Sequence, residues 1–214
     1  MASIPTATVG RLVTYLRALA ELEEEQSEKT SSDELARRAQ VSAFQVRKDL
    51  AYCGRFGTRG SGYQVAVLVR ELRRVLGLTR PWHVAIMGMG RLGQALADYP
   101  NFDQYDFLLR GAFDADARKV GMVVGSMTVA HVDALPEAVT RDAIDLAFLT
   151  VPAGAAQSAA DALIAAGVRG ILNFAPTMID VPDGVRVEPV DFLAGLQRLT
   201  FHMGARASEA AVSP

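Results

Sequence analysis

The 214-residue chain is half hydrophobic, and its 22 Lys/Arg against 24 Asp/Glu leave a formal net charge of −2. That is enough apolar material for one large or two small cores, and no apolar run approaches the roughly 18 residues of a membrane span. The single cysteine, Cys53, excludes an internal disulfide and fits a reducing cytoplasm, while Arg11 and Arg17 interrupt the first apolar stretch, so no secretory leader is expected.

The charge is unevenly divided. Residues 1–80 carry 13 Lys/Arg against 9 Asp/Glu, residues 81–214 carry 9 against 15, and within 37–80 the count is 10 against 2. The middle block is either a phosphate-neutralising surface or a solvated basic face. In chain order, Val9, Leu12, Val13, Leu16, Leu19 and Ala20 recur at helical spacing, predicting an amphipathic helix over about 8–25 whose charged end, Glu21 to Glu28, reads as a solvated face and loop. Ser31 with Glu34, and Ser42 with Gln45, fit two capping boxes. They predict short helices over about 32–39 and 43–52 joined by a three- or four-residue turn, a helix-turn-helix. On the second of these helices Phe44 and Leu50, with Val41 before it, are expected to face the core, leaving Gln45, Arg47, Lys48 and Tyr52 outward. Amide and basic side chains there suit base edges and phosphates, or else a plain solvent face. Four glycines in Gly54–Gly62 exclude a helix interior and suggest a wing, two short strands with Arg59 at the tip, suited to a narrow minor groove or simply solvated. A helix with Val67, Leu68, Leu72, Val75 and Leu76 inside runs to Leu78, and Gly77 and Pro81 mark a boundary near 80.

Trp82 to Met87 reads as a buried parallel strand. It opens onto Gly88-Met89-Gly90-Arg91-Leu92-Gly93, a G-x-G-x-x-G in which the first glycine allows the turn, the second lets backbone approach a pyrophosphate and the third lets helix and strand pack closely. A second strand, Leu109–Asp114, ends in an acid 21 positions after Gly93, placed for the ribose 2′-hydroxyl of an adenosine. The alternative is a glycine turn without a ligand. Further strands are predicted at Met127–Val132, Ile144–Val151, Gly170–Phe174 and Val185–Pro189, with an alanine-rich helix at Ala153–Ala166. Strand–helix alternation of this kind means an α/β doubly wound, Rossmann-like parallel sheet. Thr150, Val151, Pro152, Asn173, Phe174, Ala175 and Pro176 lie at strand ends, where such sheets hold ligands, or are ordinary loop residues. A last helix, Asp191–Arg206, carries Phe192, Leu193, Leu196, Leu199 and Met203 as its apolar stripe and either caps its own sheet or docks on a second subunit. The tail from 208 to 214 is expected to be disordered.

Phe44-Gln-Val-Arg-Lys-Asp-Leu50, Gly57-Thr-Arg-Gly-Ser-Gly-Tyr63, the glycine motif, Asn173-Phe-Ala-Pro176 and Val190-Asp-Phe-Leu-Ala-Gly195 together resemble the Rex family of redox-sensing transcriptional repressors, from about Val9 to Leu199. The resemblance implies a bacterial homodimer that represses respiratory and NADH-oxidising genes from palindromic operator DNA and is released by NADH. It implies a winged helix-turn-helix over 1–80, a dinucleotide domain for NADH or NAD⁺ over 81–190, and a subunit-exchanged dimerisation helix over 191–207. By matching positions, Arg47, Lys48 and Arg59 would contact DNA, Gly88, Gly90, Gly93 and Asp114 would hold the adenosine diphosphate, and residues 150–152 and 173–176 would surround the nicotinamide. Tyr99, Asp191 and Arg17 would link cleft to DNA-binding unit. Cys53 departs from the aromatic residue expected there.

Two other readings stand beside it. An NAD-dependent oxidoreductase with a basic accessory domain needs a proton donor beside its substrate, and none of His83, His131 and His202 lies in a catalytic motif, so no enzyme is expected. A DNA-binding protein whose Rossmann unit only dimerises would bind no dinucleotide.

Overall fold

A computed structural model describes residues 4–54 and 62–210, with side chains through Met203. The chain divides into two units, Met1–Arg80 and Pro81–Pro214, with separate cores.

The first unit runs α1 (Thr6–Glu24), β1 (Lys29–Thr30), α2 (Ser32–Ala39), α3 (Ala43–Cys53), β2 (Tyr63–Gln64) and α4 (Val65–Val75). Its core is made by Leu12, Leu19 and Leu22 of α1, Leu35 of α2, Val46 and Leu50 of α3 and Leu68 and Leu72 of α4. Each such side chain contributes roughly 1.5–3 kcal/mol by leaving water. Both serine caps form: Ser31 Oγ accepts from the Glu34 amide and Ser42 Oγ from the Gln45 amide, each at 3.1 Å. Gln40, in the left-handed region at φ 54°, ends α2 and begins the three-residue turn into α3.

Three sequence expectations are corrected here. The first helix, expected over about 8–25, spans Thr6–Glu24, but its acidic end is not merely a solvated face and loop: Leu22 is buried, and Glu21 and Glu25 clamp the Arg38 guanidinium at 3.1 and 2.7 Å. Phe44 does not face the core but is 69 % exposed; α3 turns Val46, Asp49, Leu50 and Cys53 inward instead, an i, i+3, i+4, i+7 face. Val67 is exposed, and α4 ends at Val75 on a stripe of Val65, Leu68 and Leu72. β2 pairs antiparallel with β1, Lys29 opposite Gln64 and Thr30 opposite Tyr63. Residues 55–61, which hold the expected wing tip and Arg59, lie outside the described residues.

The inward acid is the unexpected element. Asp49 is fully buried and accepts from Arg11 Nε (2.6 Å), Arg11 Nη2 (2.7 Å), Tyr15 Oη (2.8 Å), Thr8 Oγ1 (3.2 Å) and Gln45 Nε2 (2.9 Å). Burial on its own raises a carboxyl, but the hydrogen bonds from Arg11, Tyr15 and Gln45 prevail and bring Asp49 down to about 2. Beside it, burial pushes the Cys53 thiol up, so it is a small core residue with no thiolate character.

The second unit contains β3 (Trp82–Met87), α5 (Arg91–Ala97), β4 (Phe107–Asp114), β5 (Val123–Val124), β6 (Met127–His131), α6 (Leu135–Arg141), β7 (Leu146–Leu149), α7 (Ala153–Ala166), β8 (Gly170–Asn173), β9 (Arg186–Pro189) and α8 (Phe192–Ala210). The sheet order is β5-β6-β4-β3-β7-β8-β9, parallel except for β5 against β6. This is the doubly wound α/β sheet read from the sequence, and its order reverses at β3, between β4 and β7. Alternate residues of β3 serve opposite faces. Ala85 and Met87 pack with Leu135, Val139, Ala160 and Leu163 of α6 and α7, whereas Val84 and Ile86 pack towards Leu96, Ala97 and Phe102. The helix α6 was not read from the sequence, although Pro136 in its first turn is a helix-start signal. The last helix continues to Ala210, beyond the boundary read at 206–207, and residues 211–214 lie outside the described residues. It does not cap its own sheet: Phe192, Leu193, Leu196, Leu199, Phe201 and Met203 are each more than half exposed. Among the described residues no helix is long and apolar enough to cross a membrane.

Asp49→Ala removes the one acceptor shared by Arg11, Tyr15 and Gln45, and should cost the first unit ~3–5 kcal/mol, as breaking a buried pair does. Hydrogen exchange of the full chain should show faster exchange in α1 and α3 and no change in β3. The same link has a pH signature. The carboxyl titrates near 2 when folded and near 4 when unfolded, so its contribution is complete above about pH 4 and is lost as pH falls towards 2.

Candidate ligand cleft and nucleic-acid surface

The cleft lies at the sheet's order reversal, and three glycines shape it for three different reasons. Gly88 follows β3 with φ +101°, where a Cβ would also lie 2.7 Å from Val151 Cγ1. Gly93 sits under the turn, and its Cβ would collide with the Gly88 carbonyl and press on Thr150 Oγ1 at 3.1 Å. Gly90, at the start of α5, is different: a Cβ there would meet nothing within 4 Å, because the space beside it is the cleft. Thr150 braces the turn from below, its Oγ1 lying 3.0 Å from the Met87 carbonyl and 2.6 Å from that of Gly88.

Asp114, at the end of β4, is buried and works within the protein. Its Oδ2 accepts from the Met89 amide (2.7 Å) and from Lys119 Nζ (2.7 Å), and its Oδ1 from the Asp116 amide (2.8 Å). Burial would raise this carboxyl, but Lys119 and the two amides hold it below the usual carboxylate range. One lone-pair direction of Oδ1 remains for a further donor.

The cleft encloses about 810 Å³, within the range of small-molecule and cofactor sites. Of the residues singled out in the sequence, Gly88, Gly90, Leu92, Asp114, Thr150, Val151, Pro152 and Phe174 line it. The others are placed elsewhere. Met89 is buried in the core, Arg91 is exposed on α5 and Gly93 lies beneath the turn. Asn173 closes its own loop, Nδ2 donating to the Thr177 carbonyl (2.8 Å) and Oδ1 accepting from the Ala175 amide (2.9 Å). Ala175 is core and Pro176 exposed. Tyr99 is 61 % exposed, its ring 5.1 Å from Phe102. Asp191 is exposed and caps α8, Oδ1 accepting from the Ala194 amide at 2.9 Å. Arg17 is exposed on α1.

Asp116 and Lys119, after β4, and one face of α7 were missed. Lys119 lies in the turn after β4 and had no periodic signal. Ala155, Ser158, Ala159 and Ala162 line the wall at i, i+3, i+4, i+7 on α7. That small-residue face was legible as a helix and could have been read as a wall that leaves room. The titratable groups lining the cleft, among the described residues, are Asp114, Asp116 and Lys119, all at the β4 end. The histidines lie elsewhere: His83 Nδ1 is 2.7 Å from the Asp142 carbonyl, His131 Nδ1 is 3.0 Å from Asp133, and His202 is exposed beside Phe201.

In the first unit, α3 presents Phe44, Arg47, Lys48 and Tyr52 to solvent. Gln45, expected among them, is half-buried and bonded to Asp49.

A capped helix-turn-helix with exposed basic residues, on the same chain as a glycine-turn Rossmann cleft, defines a ligand-responsive DNA-binding protein. The chain matches the "CoA binding domain" model over residues 79–177 and the "Putative DNA-binding protein N-terminus" model over residues 3–51. It is 59 % identical, over 92 % of its length and 93 % of the relative's, to the redox-sensing transcriptional repressor Rex of Thermus thermophilus. The solved structure of RSP in complex with β-NAD⁺ and operator DNA matches with a TM-score of 0.90 at 34 % identity, covering 99 % of this chain and 98 % of that one. RSP in complex with β-NADH matches at 0.86 and 33 % identity, covering 100 % of each. The chain belongs to the Rex family of redox-sensing transcriptional repressors.

Gly93→Ala should lower the melting temperature, since its methyl group has to displace the Gly88 carbonyl at an overpacking cost of ~1–3 kcal/mol. Gly90→Ala should leave it unchanged. Differential scanning calorimetry of the two variants checks the contrast, and equal melting temperatures would refute the close approach.

Proposed function

We propose that this chain acts as a homodimeric repressor in the cytoplasm, holding a palindromic operator through its first unit and releasing it when NADH occupies the cleft of the second. The observation that carries this reading is the open space beside Gly90, at a turn whose other two glycines are sterically required. A turn built this way leaves backbone free for a pyrophosphate to approach. Gly88, Gly90 and Leu92 would face the phosphates, with Met89, Arg91 and Gly93 shaping the turn. Asp114 and Lys119 would face the adenosine ribose. Thr150, Val151, Pro152 and Phe174 would face the nicotinamide, with Asn173, Ala175 and Pro176 fixing the loop that carries Phe174. NADH and NAD⁺ differ there by a positive charge, and apolar walls disfavour an unpaired cation through desolvation.

On the DNA side, Arg47, Lys48 and Arg59 are assigned to the duplex. We assign residues 1–80 to DNA binding, 81–190 to the dinucleotide and the helix from 191 to the dimer, where the exposed stripe of α8 would be covered by a second copy. Exposed Arg17, Tyr99 and Asp191 are available to connect cleft and DNA unit across that dimer. Hydride transfer to a substrate has little support, because the Thr150–Pro152 side of the cleft carries no titratable group among the described residues.

Arg47→Ala should weaken binding to a palindromic duplex, selected by the wild-type protein from a randomised library, by at least a hundredfold at fixed salt, and leave NADH affinity unchanged. Fluorescence anisotropy and NADH fluorescence read the two separately, and parallel loss of both would refute separate sites.

A further inference from the structure

The exposed Phe44 is unexplained by the fold. It occupies the second position of α3, after the Ser42 cap and Ala43, and is 69 % exposed while Val46, Asp49 and Leu50 carry the inward face. Its i+3 and i+4 neighbours are Arg47 and Lys48, both exposed, so the three side chains share one face. In a helix-turn-helix, the N-terminal residues of the second helix reach base edges. Gln45, the polar residue of that turn, is half-buried and donates through Nε2 to Asp49 at 2.9 Å, which draws it away from the exposed face. The outward reading group of the first turn is therefore a hydrocarbon ring flanked by two cations.

The major groove offers one apolar partner to such a ring, the C5-methyl of thymine. We propose that Phe44 is a specificity-determining residue that reads a thymine methyl group in each operator half-site, next to the phosphate or guanine contacts of Arg47 and Lys48. The inference rests on the assignment of α3 to the duplex and goes beyond it by giving that helix a methyl-reading position. A thymine contact of this kind is independent of salt, because no counterion is released, whereas the arginine and lysine contacts are not.

The test removes the methyl from the DNA and the ring from the protein. In the selected palindromic duplex, each thymine of the half-site is replaced in turn by uracil, symmetrically in both halves, and binding is followed by anisotropy. Wild-type protein should lose about fourfold in affinity per methyl contacted, the worth of one buried CH₂ group, at one thymine position. Phe44→Ala should lose affinity for the thymine duplex and bind the uracil and thymine versions equally at that position. Phe44→Leu, which keeps an apolar side chain, should retain part of the discrimination. Circular dichroism of both variants checks that α3 is intact, and Phe44 points out of the core, so unfolding is not expected. Equal discrimination between thymine and uracil in wild type and Phe44→Ala would overturn the proposal, as would a wild type indifferent to uracil at every position. Failure of the wild type to select any duplex would instead overturn the assignment of α3 to DNA.

Discussion

A carboxylate taken out of water has to be met by donors on every side, and one such group aims each of the two functional surfaces of this chain. Asp49 is the deeper one. Its five donors come from α1 and α3, and they fix the rotation of α3 about its own axis. With Asp49, Val46 and Leu50 inward, Phe44, Arg47 and Lys48 have to face solvent. Asp114 does the corresponding work in the second unit, tying the Met89 amide and Lys119 to the end of β4 and so holding the glycine turn against its neighbouring strand. Both carboxyls are held ionised against burial by the donors around them. Removing one would leave half-buried cations and the buried Tyr15 hydroxyl or Met89 amide without their acceptor, which costs more than the pair contributes.

The architecture was legible wherever local chemistry decided it. Serine caps three residues before Glu34 and Gln45, the three glycines, and the apolar strands of the parallel sheet act within a few residues of themselves. What escaped was decided across the chain. An inward Asp49 looks like an error of pattern until Arg11 and Tyr15, 38 and 34 residues away, are brought to it. That misreading also put Phe44 on the wrong face and Gln45 on the surface. The same holds in the cleft. Asn173 looked like a ligand residue because it ends a strand, but both ends of its amide are used by the following loop. Lys119 had no pattern to announce it, since only the turn after β4 brings it back to Asp114.

The membership in a redox-sensing repressor family and this geometry meet in one requirement. A ligand moves an equilibrium only by binding one arrangement better than the other; taking a dimer from almost fully bound to almost fully released takes about a 10⁴-fold preference. Here the reduced nicotinamide and the oxidised one would meet the same apolar wall of Val151, Pro152 and Phe174, and only one of them carries a charge into it. The α8 stripe, more than half exposed among the described residues, is the second element of the proposal, the face through which two copies would be held in register on a two-fold operator.

The most direct measurement is fluorescence anisotropy of the labelled, selected palindrome bound to the full-length protein at fixed salt, titrated with NADH and separately with NAD⁺. Release by NADH, at concentrations where NAD⁺ leaves the complex intact, is what a cleft that discriminates by charge predicts. A complex indifferent to both dinucleotides, or released equally by both, would contradict the account.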